Sequence, residues 1–260
     1  MTAEPDVASL LTAYDAQLRA QPRADETEWD GPLRRSAGAG GGFVGYRDLG
    51  GLDGPELDEL IARQVLFFAE RGLRFEWKHH SHDLPTDLPL RLLAAGFVPE
   101  DRETVLIGGA AGLADADPPL APQVSLRRTS DPADFARIEA LNTAVWGGDM
   151  SWLAGMLAAE SAAEGFEVWV AEVDGELASA AWLRPRPGTD FAGLWGGSTL
   201  EAFRGRGIYR ALVAVRAAAA VRDGYRYLQV DASEDSRPIL QRRGFVAITH
   251  TTPYIWTPPA

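Results

Sequence analysis

Apolar residues recur at helical spacing in some stretches of this chain and form short β-prone runs in others. The helical spacing predicts helices over residues 5–21, 55–70, 88–95, 131–145, 150–164, 207–222 and 237–243. The short runs predict strands over 43–47, 75–78, 97–107, 124–128, 167–173, 177–183, 191–200, 227–230 and 245–256. Residues 22–42 are polar and then rich in glycine, which predicts a loop. This order predicts a mixed α/β fold of the α+β class.

One stretch between the predicted elements has almost nothing to bury. Residues 108–122 are mostly Ala, Gly, Asp and Pro, a composition typical of a linker. A chain of 260 residues is long enough for one large domain or two smaller ones. We therefore predict a first domain over 1–107, a linker over 108–122 and a second domain over 123–260.

The two predicted domains also share a pattern. Residues 70–85 match residues 222–238 at an offset of 152, which aligns Gly72 with Gly224 and Phe75 with Tyr227. Four extra residues in the first copy then bring the Gly-Phe-Val triplet of 96–98 onto that of 244–246. A chance match of a common β-α-β pattern is the alternative, but the joint agreement of helix, glycine and aromatic positions favours a duplicated fold.

Composition and charge narrow the functional classes. The chain has no cysteine, which excludes disulfides, thiolate nucleophiles and iron–sulfur clusters. The net charge of −12 argues against a nucleic-acid partner. Arginines interrupt the most apolar helix, and the acidic start lacks the pattern of a signal peptide, so we predict no membrane span and a cytoplasmic protein. Residues 1–122 carry a net charge of −10, which leaves the second half better suited to a small polyanion.

The strongest chemical signal lies between a predicted strand end and a predicted helix start. The residues there are Arg204, Gly205, Arg206, Gly207, Ile208, Tyr209 and Arg210. Glycines let the backbone approach a ligand closely, and the first N–H groups of a helix have no internal acceptor. With the helix dipole and three arginines added, this segment is suited to hold a pyrophosphate. An ordinary turn with solvated arginines is the alternative interpretation.

These residues resemble motif A of the GNAT superfamily, the acyl-CoA-dependent N-acetyltransferases, and the surrounding order of elements is similar to that family. Arg204 and Gly207 match the motif, whereas Tyr209 stands where Gly or Ala is usual. Residues 123–257 resemble one complete acetyltransferase domain, and about 43–107 resemble a second, truncated copy. The resemblance implies two GNAT-like halves, each a mixed, mostly antiparallel sheet flanked by helices.

The resemblance also implies a reaction. Acetyl-CoA would donate its acetyl group to the amine of a small molecule by direct attack, and no metal would be required. Backbone groups of Gly197, Ser198 and Thr199 would hold the pantetheine arm, and the N–H groups of residues 205–210 would hold the pyrophosphate. A homodimer is compatible with this reading, and the identity of the acceptor stays open.

The catalytic groups depart from the family pattern. The tyrosine acid that many relatives carry corresponds to Leu240, and a frequent Asn corresponds to Ser233. We expect Tyr254, Ser233 or water to replace that acid. Asp190 lies roughly where some relatives keep a basic Glu, and it is the candidate base, although a turn residue is the alternative. These departures keep a non-catalytic acyl-CoA sensor as the second hypothesis and a decayed structural protein as the third.

The first copy differs at the motif itself. At the offset of 152, Arg204–Arg210 align with residues 52–58, Leu-Asp-Gly-Pro-Glu-Leu-Asp, so carboxylates replace arginines. We therefore predict that only the second half binds CoA.

Three weaker signals remain in the sequence. The glycines of 40–45 match a dinucleotide-binding pattern but lead into a strand, which argues against that function. The histidines of 79–83 suggest a metal site, but three ligands with fixed geometry are not evident. Trp146 and Trp152 fall where the resemblance places acceptor-contacting loops.

Overall fold

The computed structural model describes residues 6–22, 28–38, 40–115 and 120–259. Their helices are α1 (Val7–Tyr14), α2 (Gly54–Ala69), α3 (Leu88–Ala94), α4 (Ala110–Ala114), α5 (Pro132–Trp146), α6 (Leu153–Glu160), α7 (Ile208–Arg222) and α8 (Arg237–Gln241). Their strands are β1 (Glu28–Asp30), β2 (Leu33–Gly38), β3 (Gly41–Gly45), β4 (Phe75–His80), β5 (Val98–Pro99), β6 (Glu103–Gly109), β7 (Val124–Thr129), β8 (Glu167–Val173), β9 (Glu176–Pro185), β10 (Phe191–Thr199), β11 (Tyr227–Ala232) and β12 (Val246–Trp256). No helix of the described residues is long and apolar enough to cross a membrane.

The chain divides into two compact units that do not follow one cut in the sequence. The first unit contains Met1–Leu106, Asp231–Arg237 and Ala247–Ala260, and the second contains Ile107–Val230 and Pro238–Val246. Nearly all of β12 therefore belongs with the first unit. The reason is strand pairing, because β12 lies antiparallel to β4 from Thr251 opposite His80 to Trp256 opposite Phe75.

The strands of the first unit pair antiparallel up to β3, and the next pairing, between β3 and β4, is parallel. β2 pairs antiparallel with β1 and with β3, and β3 then runs parallel to β4. The crossover between β3 and β4 is α2, whose apolar face packs into the core. The core is formed by aromatic and aliphatic side chains, among them Leu33, Val44, Leu57, Leu60, Phe68, Phe75, Trp77 and Phe97.

The second unit repeats this arrangement with longer strands. β7, β8, β9 and β10 form a continuous antiparallel ladder, and β10 runs parallel to β11. The crossover between β10 and β11 is α7. One apolar cluster packs α5 and α6 against the sheet, and a second packs the start of α7, at Ile208 and Leu212, against β8 and β9. The predicted fold class, a mixed and mostly antiparallel sheet flanked by helices, is confirmed.

The structure also corrects several local predictions. The predicted loop over 22–42 contains β1, β2 and the start of β3, and the predicted linker over 108–122 contains α4. α4 forms there because Ala110 and Leu113 are buried. The predicted strand over 97–107 is divided into β5 and β6. Parts of three predictions, at residue 5 of the first helix, at 23–27 and 39 of the loop and at 116–119 of the linker, lie outside the described residues.

Candidate functional site

The arginine–glycine motif lies at the start of α7. β10 ends at Thr199, a short 3-10 helix covers Glu201–Phe203, and α7 begins at Ile208. Gly205 and Gly207 both have left-handed backbone angles, with φ of +76° and +81°. An L side chain at either position would be strained, so glycine is what allows this tight entry into the helix.

The amino end of α7 is open. Gly207 is its N-cap residue, and no side chain caps the helix. The N–H groups of the first turn have no acceptor within an α-helix. Together with the positive end of the helix dipole, the N–H groups of Ile208, Tyr209 and Arg210 therefore have the properties that favour an anion, as the sequence predicts.

Three exposed arginines surround this helix end. The Arg204 Nε donates to the Thr199 carbonyl at 3.2 Å, and the Arg206 Nη2 donates to the Ala202 carbonyl at 3.1 Å. The Arg210 Nη2 lies 3.3 Å from where a Cβ on Gly207 would stand. None of the three forms a salt bridge with a carboxylate of the described residues. Their charge is thus directed to solvent or to a bound anion.

β10 carries a β-bulge where the pantetheine arm was predicted. Its parallel pairing with β11 covers only Phe191–Gly193, although β10 continues to Thr199. The bulge lies in its pairing with β9, between Trp195 and Ser198. Past Gly193, β10 is therefore no longer paired to β11, and the backbone edge that a ligand could use lies along the predicted residues Gly197, Ser198 and Thr199.

Two glycines of the bulge are required by their neighbours. A Cβ on Gly196, which has a φ of +62°, would stand 1.8 Å from the Trp182 ring. A Cβ on Gly197 would stand 2.7 Å from the ring of Tyr209. Tyr209 therefore packs its ring against a residue predicted to hold the pantetheine arm.

The Ser198 side chain serves the structure of the bulge. It is buried, it donates to the Asn142 Oδ1 at 2.8 Å, and it accepts from the Trp146 Nε1 at 2.7 Å. Ser179 donates to the Ser198 carbonyl at 2.6 Å. Trp146, a predicted acceptor-contacting residue, thus touches the bulge through its nitrogen while more than half of its surface stays exposed.

Sequence reasoning missed Arg216, which lies two turns into α7. Its side chain is fully buried, and its Nη1 donates to the carbonyls of Trp182 and Trp195 at 3.2 and 3.3 Å. In the sequence this residue was only a charge that interrupts an apolar helix. The periodicity of α7 gave no signal that an arginine on its apolar face reaches the bulge.

The proposed catalytic residues are less favourably placed. Asp190 directly precedes β10, and its carbonyl accepts from the N–H groups of Arg226 and Tyr227 at 2.9 and 3.0 Å. At about 3.3 Å per residue, Asp190 lies about 16 Å along the strand from Trp195. Asp190 therefore has a structural role at the start of β10 and lies far from the bulge.

Ser233 and Tyr254 belong to the first unit. Ser233 lies in the turn after β11, where its hydroxyl is 3.2 Å from that of Ser236. Tyr254 is buried in β12 opposite Trp77, and burial raises the pKa of its phenol. Leu240, at the usual position of the tyrosine acid, is fully buried in the second unit and offers no proton. The roles of Ser233 and Tyr254 stay predictions.

The histidine segment of the first unit makes hydrogen bonds of its own. The His80 Nε2 lies 3.0 Å from the Tyr14 hydroxyl, and burial holds the pKa of His80 well below its usual range. His82 contacts Asp15 and Thr249. No group of three or more potential metal ligands is found among the described residues. Gly41, Gly42 and Gly45 lie in strand β3, which begins within the predicted loop over 22–42, and Gly42 lies against the ring of Phe68.

α2, the counterpart of α7 in the first unit, begins differently. β4 and β11 begin at Phe75 and Tyr227, which keeps the predicted offset of 152. The starts of α2 and α7, at Gly54 and Ile208, are 154 positions apart, so at the cap Asp53 aligns with Gly207. The Asp53 carboxylate accepts from the Gly54 N–H at 2.6 Å, and Pro55 follows. This helix end therefore already carries its own carboxylate.

Comparisons with known proteins agree with this geometry. Residues 133–245 match the family model described as the acetyltransferase (GNAT) family. A GCN5-related N-acetyltransferase from Kribbella flavida has a similar structure, with a TM-score of 0.69, 15% identity, and coverage of 98% of this chain and 96% of that one. A tandem GNAT protein from the clavulanic acid biosynthesis pathway gives a TM-score of 0.61, 15% identity, and coverage of 98% and 95%. A GCN5-related N-acetyltransferase from Sphaerobacter thermophilus gives a TM-score of 0.60 and 13% identity, with coverage of 88% of this chain and 77% of that one. Curated protein sequences gave no match.

Proposed function

We propose that this chain transfers an acetyl group from acetyl-CoA to the amine of a small molecule, because its residues 133–245 match the model of the acetyltransferase (GNAT) family. The observation that carries the proposal is the uncapped amino end of α7, with its two left-handed glycines and three arginines that have no carboxylate partner among the described residues. This end suits the diphosphate of CoA because main-chain N–H groups and guanidinium groups both donate to phosphate oxygens.

The proposed reaction places the thioester at the bulge of β10. The amine nitrogen attacks the thioester carbonyl carbon, and the C–N bond forms as the carbonyl π electrons move to oxygen. The C=O bond is then restored as the C–S bond breaks, so the sulfur takes the electron pair and the nitrogen loses a proton. Backbone N–H groups at residues 196–199 would stabilise the charge on oxygen. Holding the amine beside the thioester would supply much of the rate enhancement.

Proton transfer in this scheme rests on weaker support. The amine must be neutral to attack, so it needs a base or a chain of waters that ends at one. We keep Asp190 as the candidate base only through such a chain, since it lies far along the strand from Trp195. Ser233 or Tyr254, or water, would protonate the departing sulfur. A metal has no part in this proposal.

A non-catalytic acyl-CoA sensor is the second candidate. The buried Leu240 favours it, because the position of the usual acid holds a side chain that transfers no proton. Both candidates bind acetyl-CoA, and only the enzyme consumes it. We propose cofactor binding in the second unit alone, since α2 of the first unit is capped by Asp53.

Calorimetric titration of the full chain with acetyl-CoA tests binding, and we expect one molecule per chain. Release of free thiol, followed over a library of small amines, then tests transfer. Binding with turnover of at least one amine supports the enzyme, and binding without turnover of any supports the sensor. No heat and no thermal stabilisation at saturating acetyl-CoA would refute both.

A further inference from the structure

Arg216 is a buried cation without an anion. It is only 1% exposed, and none of the described residues forms a salt bridge with it. Its three hydrogen bonds all go to carbonyl oxygens: the Nε to Leu212 at 2.8 Å, and the Nη1 to Trp182 and Trp195. Burial lowers the pKa of Arg216 to about 10, so the side chain is still charged at neutral pH.

Such a charge is unfavourable unless something compensates for it. Moving an ion out of water costs several kcal/mol even after relaxation, and carbonyl dipoles return part of that cost. The carbonyls of Trp182 and Trp195 belong to the last residues of β9 and β10 that are paired before the bulge. Trp182 lies opposite Trp195, and the pairing of the two strands resumes only at Ser198. Arg216 thus fills the gap in the ladder and fixes the bulge from the α7 side.

The hydrogen bond to Trp195 also has an electronic effect. The carbonyl of Trp195 and the N–H of Gly196 belong to one peptide group, so donation to the oxygen polarises the N–H at the other end. Gly197 lies two residues beyond Trp195, at most about 7 Å along the chain. The positive charge of Arg216 therefore contacts the peptide group that leads into residues 196–199, where the thioester is proposed to sit.

We propose that Arg216 is a positioning residue for acyl transfer: it holds the β10 bulge and stabilises the negative charge that develops on the thioester oxygen and on the departing sulfur. This inference rests on the proposed function. It gives the charge a task, because Leu240 cannot protonate the sulfur as the C–S bond breaks; the sulfur then leaves as a thiolate and takes up its proton afterwards. A fixed cation in a dry site favours a thiolate over a thiol.

The charge of the CoA sulfur gives a direct test. Free CoA bears a thiol, and the ultraviolet absorbance of its thiolate can be followed against pH, free and bound. In the wild-type protein we expect the bound thiol to have a lower pKa than free CoA. Arg216→Met should reduce the thiolate fraction at fixed pH about tenfold, and should lower kcat 10- to 100-fold with the KM for acetyl-CoA changed less than about threefold.

Two further variants separate charge from packing. Arg216→Lys keeps a cation with fewer donors and should retain most of the thiolate fraction and of kcat. Arg222→Met removes an exposed arginine of the same helix, which pairs with Asp223, and should change neither. Calorimetry with CoA tests the proposed function separately, because Arg216 is not needed for the diphosphate.

The outcomes are distinct. An unshifted thiol pKa in bound wild type overturns the inference while leaving CoA binding intact, and this measurement does not require that any variant folds. If Arg216→Lys and Arg216→Met both fold and lose the thiolate fraction and kcat equally, the charge has no role in the reaction, and Arg216 serves only to pack the bulge. Absence of CoA binding by the wild type overturns the inference together with the function on which it rests.

Discussion

Replacing Gly207 by aspartate separates the stability of the fold from the binding of the diphosphate. Gly207 is the N-cap of α7 with a φ of +81°, so an L residue there is strained by roughly 1–2 kcal/mol. Because glycine is itself a tolerated N-cap, an aspartate there returns only a few tenths of a kcal/mol by accepting from the first-turn N–H groups. The nearest atoms to the new Cβ, the Arg210 Nη2 at 3.3 Å and the Leu120 Cδ2 at 3.9 Å, belong to the ends of flexible side chains.

The net cost to the fold is therefore about 1–2 kcal/mol, which lowers the Tm of a chain of this size by roughly 2–8 °C. Binding is affected far more, because the new carboxylate occupies the N–H groups that the diphosphate needs and repels its charge. At 100 times its Kd, acetyl-CoA stabilises the wild type by about 2.7 kcal/mol, which is a Tm increase of roughly 5–10 °C. In Gly207→Asp we expect this increase to fall below about 1 °C.

The assay is thermal unfolding with and without saturating acetyl-CoA. Gly207→Asn has nearly the same shape without the charge, so it should keep part of the increase. Gly54→Asp places the same charge on a left-handed glycine at the start of α2, where nothing crowds its Cβ, and should leave the increase unchanged. A full increase in Gly207→Asp would show that the diphosphate is not bound at α7.

Three other substitutions have defined outcomes. Gly196→Ala combines a positive φ with a Cβ 1.8 Å from Trp182, so urea unfolding should show a loss of about 2–4 kcal/mol. Gly197→Ala should weaken acetyl-CoA binding because its Cβ meets the Tyr209 ring, and adding Tyr209→Ala should recover it; additive effects would contradict this contact. Hydrogen bonds from Arg127 hold the pKa of Asp134 below its usual range, so its contribution is present above about pH 4 and is lost as the pH falls further. Asp134→Asn should therefore cost about 2 kcal/mol at pH 7 and about 1 kcal/mol less at pH 3, where Asp134 is still ionised in the folded state and is largely protonated in the unfolded state, by urea titration at both pH values.

The sequence predicts best what is encoded locally. β8 is predicted with its observed ends, because its run of apolar residues stops at the turn Asp174-Gly175, and both have the positive φ that such a turn needs. The start of α7 is predicted within one residue, since the glycines before it and the apolar spacing after it mark the same boundary. The candidate anion site is readable for the same reason, because it is made of main chain that glycine leaves accessible.

What the sequence does not predict depends on partners distant in the chain. β2 has the sequence Leu-Arg-Arg-Ser-Ala-Gly and little apolar character, and it is a strand because β1 and β3 pair with it on either side. β12 lies within the predicted second domain, 123–260, and its long pairing with β4 places nearly all of it in the first unit. Arg216 is the same kind of case, since only the fold shows that the carbonyls of a bulge lie beside it.

The two helix starts show how little separates an anion site from its absence. α2 and α7 are both crossovers between parallel strands, and both follow glycines with positive φ. At the N-cap, however, α7 has Gly207 and α2 has Asp53, whose carboxylate already accepts from the backbone at 2.6 Å. Arg91 then pairs with Asp53 and Asp58, so the cation at that end of α2 is neutralised as well. A dipole and free N–H groups are present at the start of any helix. Between α2 and α7, the difference lies in one side chain at the cap: the Asp53 carboxylate occupies the start of α2, and Gly207 leaves the start of α7 uncapped.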